Sequence, residues 1–259
     1  MDSKIMTIFD NKLKQIDKLQ KEIDSIRPLN IEEIKQLKEY YRIGLTYSSN
    51  AIEGNSLTES ETKIILEDGI TIGGKTLKDH LEVVGHSDAY DYILQLSKNK
   101  TIKEKDIIKL HKLFYRKIDE NNAGQYRKVR VFITGSAFNV PPPSKIKELM
   151  IKFTNDIDRL RNDNHPVVYS ALLHKHLVMI HPFIDGNGRT ARLLMNLALL
   201  QEGYQIIIIP PILRNEYINS LEQCHKNNDA NFIKLIVNAV LESQRDYLRL
   251  FNDSYVAYI

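Results

Sequence analysis

The 259-residue chain has a single cysteine, Cys224. No intrachain disulfide framework is therefore open to it, and this usage fits a reducing compartment, so the expected location is cytoplasmic. A strong charge balance is missing too. The chain has 36 Lys and Arg residues against 33 Asp and Glu, a net charge of +3. That is too small to argue for nucleic acid or an anionic membrane as a partner, and it points to a solvated surface of mixed sign. Long apolar runs are absent as well. The longest aliphatic stretch, Ile206 to Leu213, is broken by Pro210 and Pro211, so no segment is expected to span a bilayer. The first residues, MDSKIMTIFDNKLKQIDK, are too polar for a secretory signal. There is no internal repeat and no low-complexity segment. Two nucleotide-binding signatures are also missing: a G-x-x-x-x-G-K-[ST] loop, and a G-x-G-x-x-G run following a strand. What is left is an ordinary globular composition, 42% apolar and 27% charged, with enough length for one large domain or two small ones.

The densest chemistry lies in His181-Pro182-Phe183-Ile184-Asp185-Gly186-Asn187-Gly188-Arg189-Thr190-Ala191-Arg192. Val167 to Ile180 before it is apolar and long enough for a buried helix. Pro182 disfavours helical geometry at His181, so the imidazole should project from the helix end into a loop. The ordinary pKa of histidine near neutrality suits a general base acting on a hydroxyl. Phe183 is expected to anchor the loop in the core. Gly186-Asn187-Gly188 reads as a tight turn whose amides form an anion nest. Thr190 to Gln201 reads as a helix whose positive end faces the same spot. Arg189 and Arg192 are neighbours on its first turn and carry planar forks suited to phosphate. Asp185 is placed to carry a divalent cation that bridges phosphates. Alone, each of these is more simply a turn, a surface histidine or a helix start. Together and in this order they argue for a polyphosphate site.

The rest of the chain reads as helices. Apolar positions recur at helical spacing over residues 3 to 26. After Pro28, Asn30 with Glu33 forms a capping box for a second helix that reaches about Tyr47. Ser48-Ser49-Asn50-Ala51-Ile52-Glu53-Gly54-Asn55 follows. Ser49 and Glu53 share a helix face, and Gly54 can end the helix in left-handed geometry. An acidic group at a helix C-terminus is mildly unfavourable to the dipole, which hints at a cationic partner for Glu53 from elsewhere. Thr58 with Glu61 caps a helix to about Glu67. Residues 68 to 74 are a glycine-punctuated link with room for a small hairpin. Leu77 to Leu96 is a helix on which His80 and His86 read as structural, and another begins at Thr101. Val129, Val131 and Ile133 alternate as in a half-buried strand, and Phe138 to Val140 can return as a second strand, giving a hairpin. Ser144 to Arg161 is an amphipathic helix. His174 and His176 face different ways, so no zinc site is expected from them. Arg214 to His225 and a helix from Asp229 through Leu250 close the chain.

The twelve-residue stretch resembles the signature of the Fic (Fido) family, H-P-F-x-[D/E]-G-N-G-R-x-x-R, with every fixed position filled. Ser49 to Gly54 resembles that family's inhibitory motif, [S/T]-x-x-x-E-[G/N]. The resemblance runs from about Ser48 to about Tyr247. It implies a mainly α fold, a Fic-type helical bundle with a small β-hairpin flap. The implied organisation is residues 1–100 as an N-terminal helical region, 101–245 as the catalytic core and 246–259 as the end of the last helix, packed as one unit. It further implies transfer of AMP from ATP to a Ser, Thr or Tyr hydroxyl of a protein, with Mg2+. In that scheme His181 is the base and Asp185 holds the metal. Asp185, Gly186, Asn187, Gly188, Arg189, Thr190, Ala191 and Arg192 contact the nucleotide. Glu53, supported by Ser49, pairs with Arg192 and inhibits. The flap residues Ile133, Thr134, Gly135 and Ser136 lie nearest the ligand and align the target segment by strand addition. Tyr217 and Ile218 lie near the base; the pattern departs at His225, where the family often has Asn. The expected partners are ATP and a target protein, this chain among the candidates, with self-association left open. Reversal of the modification, transfer of UMP, phosphate or phosphocholine, and a catalytically silent nucleotide-binding adaptor are the alternatives. A toxin role and its opposite both stay open. No appended DNA-binding module is expected.

Overall fold

The computed structural model describes residues 3–133, 136 and 138–251. Ten α-helices follow one another among these residues: α1 (Ser3–Ile26), α2 (Ile31–Ile52), α3 (Glu59–Asp68), α4 (Leu77–Leu96), α5 (Glu104–Tyr115), α6 (Pro143–Asp163), α7 (Pro166–Ile180), α8 (Asn187–Gln201), α9 (Arg214–Cys224) and α10 (Ala230–Phe251). A single 3-10 turn, Pro211–Leu213, precedes α9. None of them is long and apolar enough to cross a membrane.

Helix starts follow local chemistry. Asn30, Thr58 and Thr76 each accept a hydrogen bond from the backbone three residues on, and Glu33, Glu61 and Asp79 return it. Each reciprocal pair satisfies two amides that the first turn would otherwise leave open. The first two boxes are expected from the sequence; the third adds an aspartate, Asp79, that also accepts from the Ser56 hydroxyl at 2.9 Å.

The apolar helix α7 packs along α8 at the centre of the bundle, with α4 and α5 against α8 and with α6 and α10 against α7. Leu173 and Leu177 of α7 and Leu193, Leu194 and Leu197 of α8 are fully buried. A helix apolar on every side can only be a core helix; the one lysine that faces inward from α7, Lys175, is paired with Asp229 at 2.6 Å. Outside this layer α1 runs along α10. The extended link from Tyr204 to Pro210 is held by Asn196, whose amide donates to the Ile207 carbonyl at 3.1 Å while its oxygen accepts from the Ile207 amide at 2.8 Å. That reciprocal pair stands in for a neighbouring strand.

Two expectations are corrected. First, the helix capped by Asn30 does not end near Tyr47 but carries on through Ser48, Ser49 and Asn50 to Ile52, so the face shared by Ser49 and Glu53 belongs to α2, and Gly54 follows it at a positive φ of 95° as expected. Its last turns are buried against α4 and α8, and this packing outweighs the low helix propensity of Ser and Asn. Second, no strand is present among the described residues, either at 68–74 or at 129–140. The 129–140 segment is instead held by side chains. Arg127 donates to the Val129 carbonyl at 3.0 Å and to the Pro141 carbonyl at 2.6 Å, and Phe138 stacks on His225 with ring centroids 3.6 Å apart.

Candidate active site

The loop between α7 and α8 is built around His181. Its backbone is left-handed, φ 51° and ψ 58°, a conformation that costs a non-glycine residue about 1–3 kcal/mol. Two contacts from Arg127 hold it there: the side-chain Nε donates to the His181 carbonyl at 2.8 Å, and the backbone amide donates to the Pro182 carbonyl at 2.9 Å. Nδ1 of His181 is buried and has no hydrogen-bond partner among the described residues. Burial lowers the pKa to about 4, with Arg127 acting in the same direction and Glu53 and Asp185 against it. The value lies below the ordinary one for histidine because much of the ring is withdrawn from solvent.

Phe183 is fully buried and lies parallel to His111, with centroids 3.8 Å apart. His111 accepts from the Gly124 amide at Nδ1, at 2.9 Å, which leaves Nε2 as the donor to the Asp185 carbonyl at 3.0 Å. Burial lowers its pKa to about 4, so the neutral tautomer that makes both bonds is retained. Asn187 closes the loop: its oxygen accepts from the Phe183 amide and its nitrogen donates to the Phe183 carbonyl, both at 2.9 Å. Its side chain thus shapes the nest from behind.

Helix α8 begins with Gly186 at φ 76°, and a Cβ there would meet Phe114 Cε1 at 2.8 Å. Only glycine satisfies both demands. The amides of Asn187, Gly188 and Arg189 belong to the first turn and have no acceptor within the helix. Thr190 caps inward, donating to the Gly186 carbonyl at 2.9 Å, and Ala191 is fully buried in the helix packing. Asp185 Oδ1 accepts from the Gly186 amide at 2.6 Å. Its side chain is 46% exposed, and Oδ2 makes no hydrogen bond among the described residues. A carboxylate with one oxygen anchored and one open suits a Mg2+ ion that takes most of its other ligands from phosphate and water.

The two arginines differ. Arg189 is buried, with its guanidinium 4.4 Å from the centre of the Phe114 ring. Nη1 lies 2.8 Å from Glu82 Oε1, an ion pair without hydrogen-bond alignment, so Nη1 and Nε have no hydrogen-bond partner among the described residues. Arg192, in contrast, has a hydrogen-bond partner at each of its three nitrogens. Nε donates to the Ser49 hydroxyl at 2.9 Å, Nη2 to the Ser49 carbonyl and to Glu53 Oε1, both at 2.8 Å, and Nη1 to the Tyr217 hydroxyl at 3.1 Å. The Tyr217 hydroxyl in turn donates to His174 Nε2 at 2.8 Å.

Glu53 is the C-cap of α2 and about a third of its side chain is exposed, 35%. Desolvation pushes its carboxyl pKa up, but Arg192 and Arg189 outweigh this and hold it below the usual carboxylate range. The carboxylate lies against the nest: a Cβ on Gly188 would collide with Glu53 Oε1. The positive end of α8 thus already faces an anion supplied by the chain itself.

Of the residues expected at the site, His181, Asp185, Gly186, Gly188, Arg189, Arg192, Ser49 and Glu53 come together around α8. Tyr217 is buried beneath Arg192 and Ile218 is partly exposed. Ile133 is half-buried and accepts at its carbonyl from the Ser136 amide at 3.1 Å; Thr134 and Gly135 lie outside the described residues. Sequence reasoning did not single out Arg127, His111 or Glu82. Arg127 lies in the loop after α5, His111 on α5 and Glu82 on α4, and nothing in their sequence neighbourhoods distinguishes a buried polar side chain from a solvated one. Among the described residues no cluster of three His, Cys, Asp or Glu side chains is arranged to hold a metal alone.

Comparison with known proteins follows the same lines. Residues 101–199 match the Fic/DOC family. The chain is 33% identical over 252 residues to the protein adenylyltransferase Fic of Drosophila grimshawi, covering 96% of this chain and 51% of that protein. It thus spans about half the length of the curated relatives it matches. Among solved structures it resembles Fic-1 from C. elegans, with a TM-score of 0.87 and 27% identity, over 97% of this chain and 75% of that one. It also resembles a Fic-domain-containing signaling protein from Bacteroides thetaiotaomicron, with a TM-score of 0.85 and 28% identity, over 95% and 99% of the two chains. With the loop, the glycine turn and both arginines in place, residues 101–199 of this chain belong to the Fic/DOC family.

Proposed function

We propose that this protein is an adenylyltransferase that moves AMP from ATP to a Ser, Thr or Tyr hydroxyl of a target protein, and that Glu53 inhibits it. The observation that carries this reading is the Glu53 carboxylate held at the glycine turn by Arg192. A site that holds a carboxylate between a helix N-terminus and a guanidinium is built for anions, and the imidazole of His181 belongs to the same loop. The name of the Drosophila relatives supports the donor and the reaction class.

In this mechanism the triphosphate settles on the amides of Asn187, Gly188 and Arg189. Arg189, buried between Glu82 and Phe114, lends its charge from beneath the turn, and Arg192 takes phosphate oxygens once Glu53 leaves it. Asp185 would hold a Mg2+ ion, which would supply charge neutralisation on the phosphates. The target hydroxyl attacks the α-phosphorus, the bond to the pyrophosphate oxygen breaks, and His181 takes the hydroxyl proton. That proton goes to Nε2, since Nδ1 is closed off. The amides and guanidiniums stabilise the charge that develops on the leaving group. While Glu53 pairs with Arg192, the end of the phosphate chain has no guanidinium to bind and the productive pose is blocked. The 129–140 segment is the flap in this reading, with the target adding as a strand along it.

The test is labelled-nucleotide transfer together with intact mass, for the wild type, Glu53→Gly, His181→Ala and Glu53→Gly/His181→Ala side by side. Strong labelling by Glu53→Gly, weak labelling by the wild type and none by Glu53→Gly/His181→Ala is expected. A folded Glu53→Gly variant that adds no mass to itself or to any protein in a lysate would overturn the assignment. A mass increase other than that of AMP would redirect it to another donor.

A further inference from the structure

We propose that Arg214 is a second clamp on the inhibitory turn. It acts as a positioning residue that holds Glu53 at the glycine turn through the Ile52 carbonyl, and so sets how readily inhibition is lifted. The inference rests on the reading above that Glu53 inhibits, and it adds a contact that regulates this inhibition.

An α-helix leaves its last four carbonyls without partners inside the helix. At the end of α2 these belong to Ser49, Asn50, Ala51 and Ile52. Two are closed by the chain that follows. The Glu53 and Asn55 amides donate to the Asn50 carbonyl at 3.0 and 3.1 Å, and the Gly54 amide donates to the Ala51 carbonyl at 3.0 Å. The other two are closed from outside, each by an arginine. Arg192 Nη2 donates to the Ser49 carbonyl at 2.8 Å, and Arg214 Nε donates to the Ile52 carbonyl at 2.7 Å. Ile52 is buried, so its carbonyl meets a guanidinium where it would otherwise need water. Both cations also complement the negative end of the helix. The Ile52 carbonyl and the Cα of Glu53 lie in one peptide plane. Fixing that oxygen therefore fixes the plane from which the inhibitory side chain springs.

The chain presents Arg214 on a stiff support. Pro210 and Pro211 restrict the backbone, and the Leu213 amide donates to the Pro210 carbonyl at 2.9 Å. The 3-10 turn Pro211–Leu213 packs on α2 and runs directly into α9. Arg214 caps that turn and is the first residue of α9. Its guanidinium is thus aimed at the end of α2 by constrained backbone.

The two arginines divide the task. Arg192 is 2% exposed and has to serve both Glu53 and, in the mechanism above, the phosphates. Arg214 makes no hydrogen bond to the stretch from His181 to Arg192 among the described residues, and it is exposed. When a nucleotide takes Arg192, Arg214 still holds the inhibitory turn, and Glu53 stays against Gly188. Lifting inhibition then requires the bond to Ile52 to break, and this bond is the end of the inhibitory contact that solvent can reach.

The experiment compares the full chain as wild type, Arg214→Ala, Glu53→Gly and Glu53→Gly/Arg214→Ala, with two readouts. One is transfer of labelled AMP from ATP to lysate protein and to the chain itself. The other is hydrogen exchange at the amides of Glu53, Gly54 and Asn55, read by mass spectrometry, which needs no turnover. Loss of one charge-assisted bond from a partly exposed side chain should raise transfer by the Arg214→Ala chain about five- to tenfold, and speed exchange at those amides about as much. In the Glu53→Gly background the same substitution should change transfer by less than about twofold, because a residue that acts through Glu53 has nothing left to act on. Melting curves check the fold, and Arg214→Met, which keeps the apolar stem and lacks the donor, replaces Arg214→Ala if that variant does not fold. Exchange and transfer both at the wild-type level in Arg214→Ala would overturn the proposal. So would an effect of equal size with and without Glu53, which would place Arg214 at the nucleotide. The two readings fail separately. Faster exchange in Arg214→Ala with no AMP transfer by any variant removes the adenylyltransferase assignment and keeps the clamp. Transfer by Glu53→Gly with exchange untouched by Arg214→Ala does the reverse.

Discussion

Arg192 Nη2 lies 2.8 Å from Glu53 Oε1 and 2.8 Å from the Ser49 carbonyl. One nitrogen thus ties the second turn of α8 to the last turn of α2. If this tie is the inhibitory contact, its charge should set the degree of inhibition. Glu53→Gln keeps an oxygen acceptor and loses the charge. A charge-assisted bond is worth about 1.5–3 kcal/mol and a neutral one about half that, so release should become roughly tenfold easier. Initial rates of labelled AMP incorporation should rank wild type, then Glu53→Gln, then Glu53→Gly. Equal rates for the wild type and Glu53→Gln would show that charge is not what holds the site shut.

Tyr217 supports Arg192 from below. Tyr217→Phe removes the acceptor of Nη1 and the donor to His174 Nε2, leaving two buried polar groups unpaired. Buried groups without partners cost about 1–3 kcal/mol each. Denaturant unfolding should show a loss in that range, with the slope unchanged. A stability equal to the wild type would mean that water replaces the hydroxyl.

Arg127 acts on His181 through the backbone. Its three nitrogens reach the carbonyls of His181, Val129 and Pro141, which only a planar fork can do at once. In a Glu53→Gly background, Arg127→Lys should lower kcat by about a hundredfold, as expected for a misplaced catalytic group, while the ATP-induced thermal shift is retained. A kcat within about twofold of the parent would remove Arg127 from any positioning role.

How much of this was legible beforehand depends on the range of each signal. Capping boxes act over three residues, and both Asn30–Glu33 and Thr58–Glu61 were readable. The loop from His181 to Arg192 packs its chemistry into adjacent residues, so its anion site was readable as well. Glu53 and Arg192 are 139 residues apart; local chemistry suggested only that Glu53 wanted a cation, and the pairing came from family resemblance. Glu82 and His111 gave no signal, because their partners Arg189 and Asp185 are distant in sequence. The alternation of Val129, Val131 and Ile133 suggested a half-buried strand. Val129 is instead exposed, and Arg127 takes its carbonyl. Periodicity reports which residues share a face, but not whether a second strand is there to pair with them.

The burial of His181 has a consequence in pH. Its pKa is lowered to about 4 by burial first and by Arg127 next. The neutral form that can accept a proton therefore dominates well below pH 6.5, the value for a free imidazole. For the Glu53→Gly variant, kcat/KM, which reports the free enzyme, should stay level from neutrality down to about pH 5.5 and fall only as the pH approaches about 4. Stability limits how far this can be followed. His86 and His111 are also buried and neutral, with pKa values lowered to about 3 and about 4. Their unfolded forms take up protons near pH 6.5 and the folded forms do not, so the stability present above 6.5 is lost as the pH falls towards those lowered values. Each contributes a slope of about 1.4 kcal/mol per pH unit across that window. Melting curves at every pH must accompany the rates, and the decisive region is the upper part of the window, where the fold still holds. An activity limb centred near 6.5 in a protein that is still folded would mean that the imidazole titrates as if exposed, and the buried base would have to be given up.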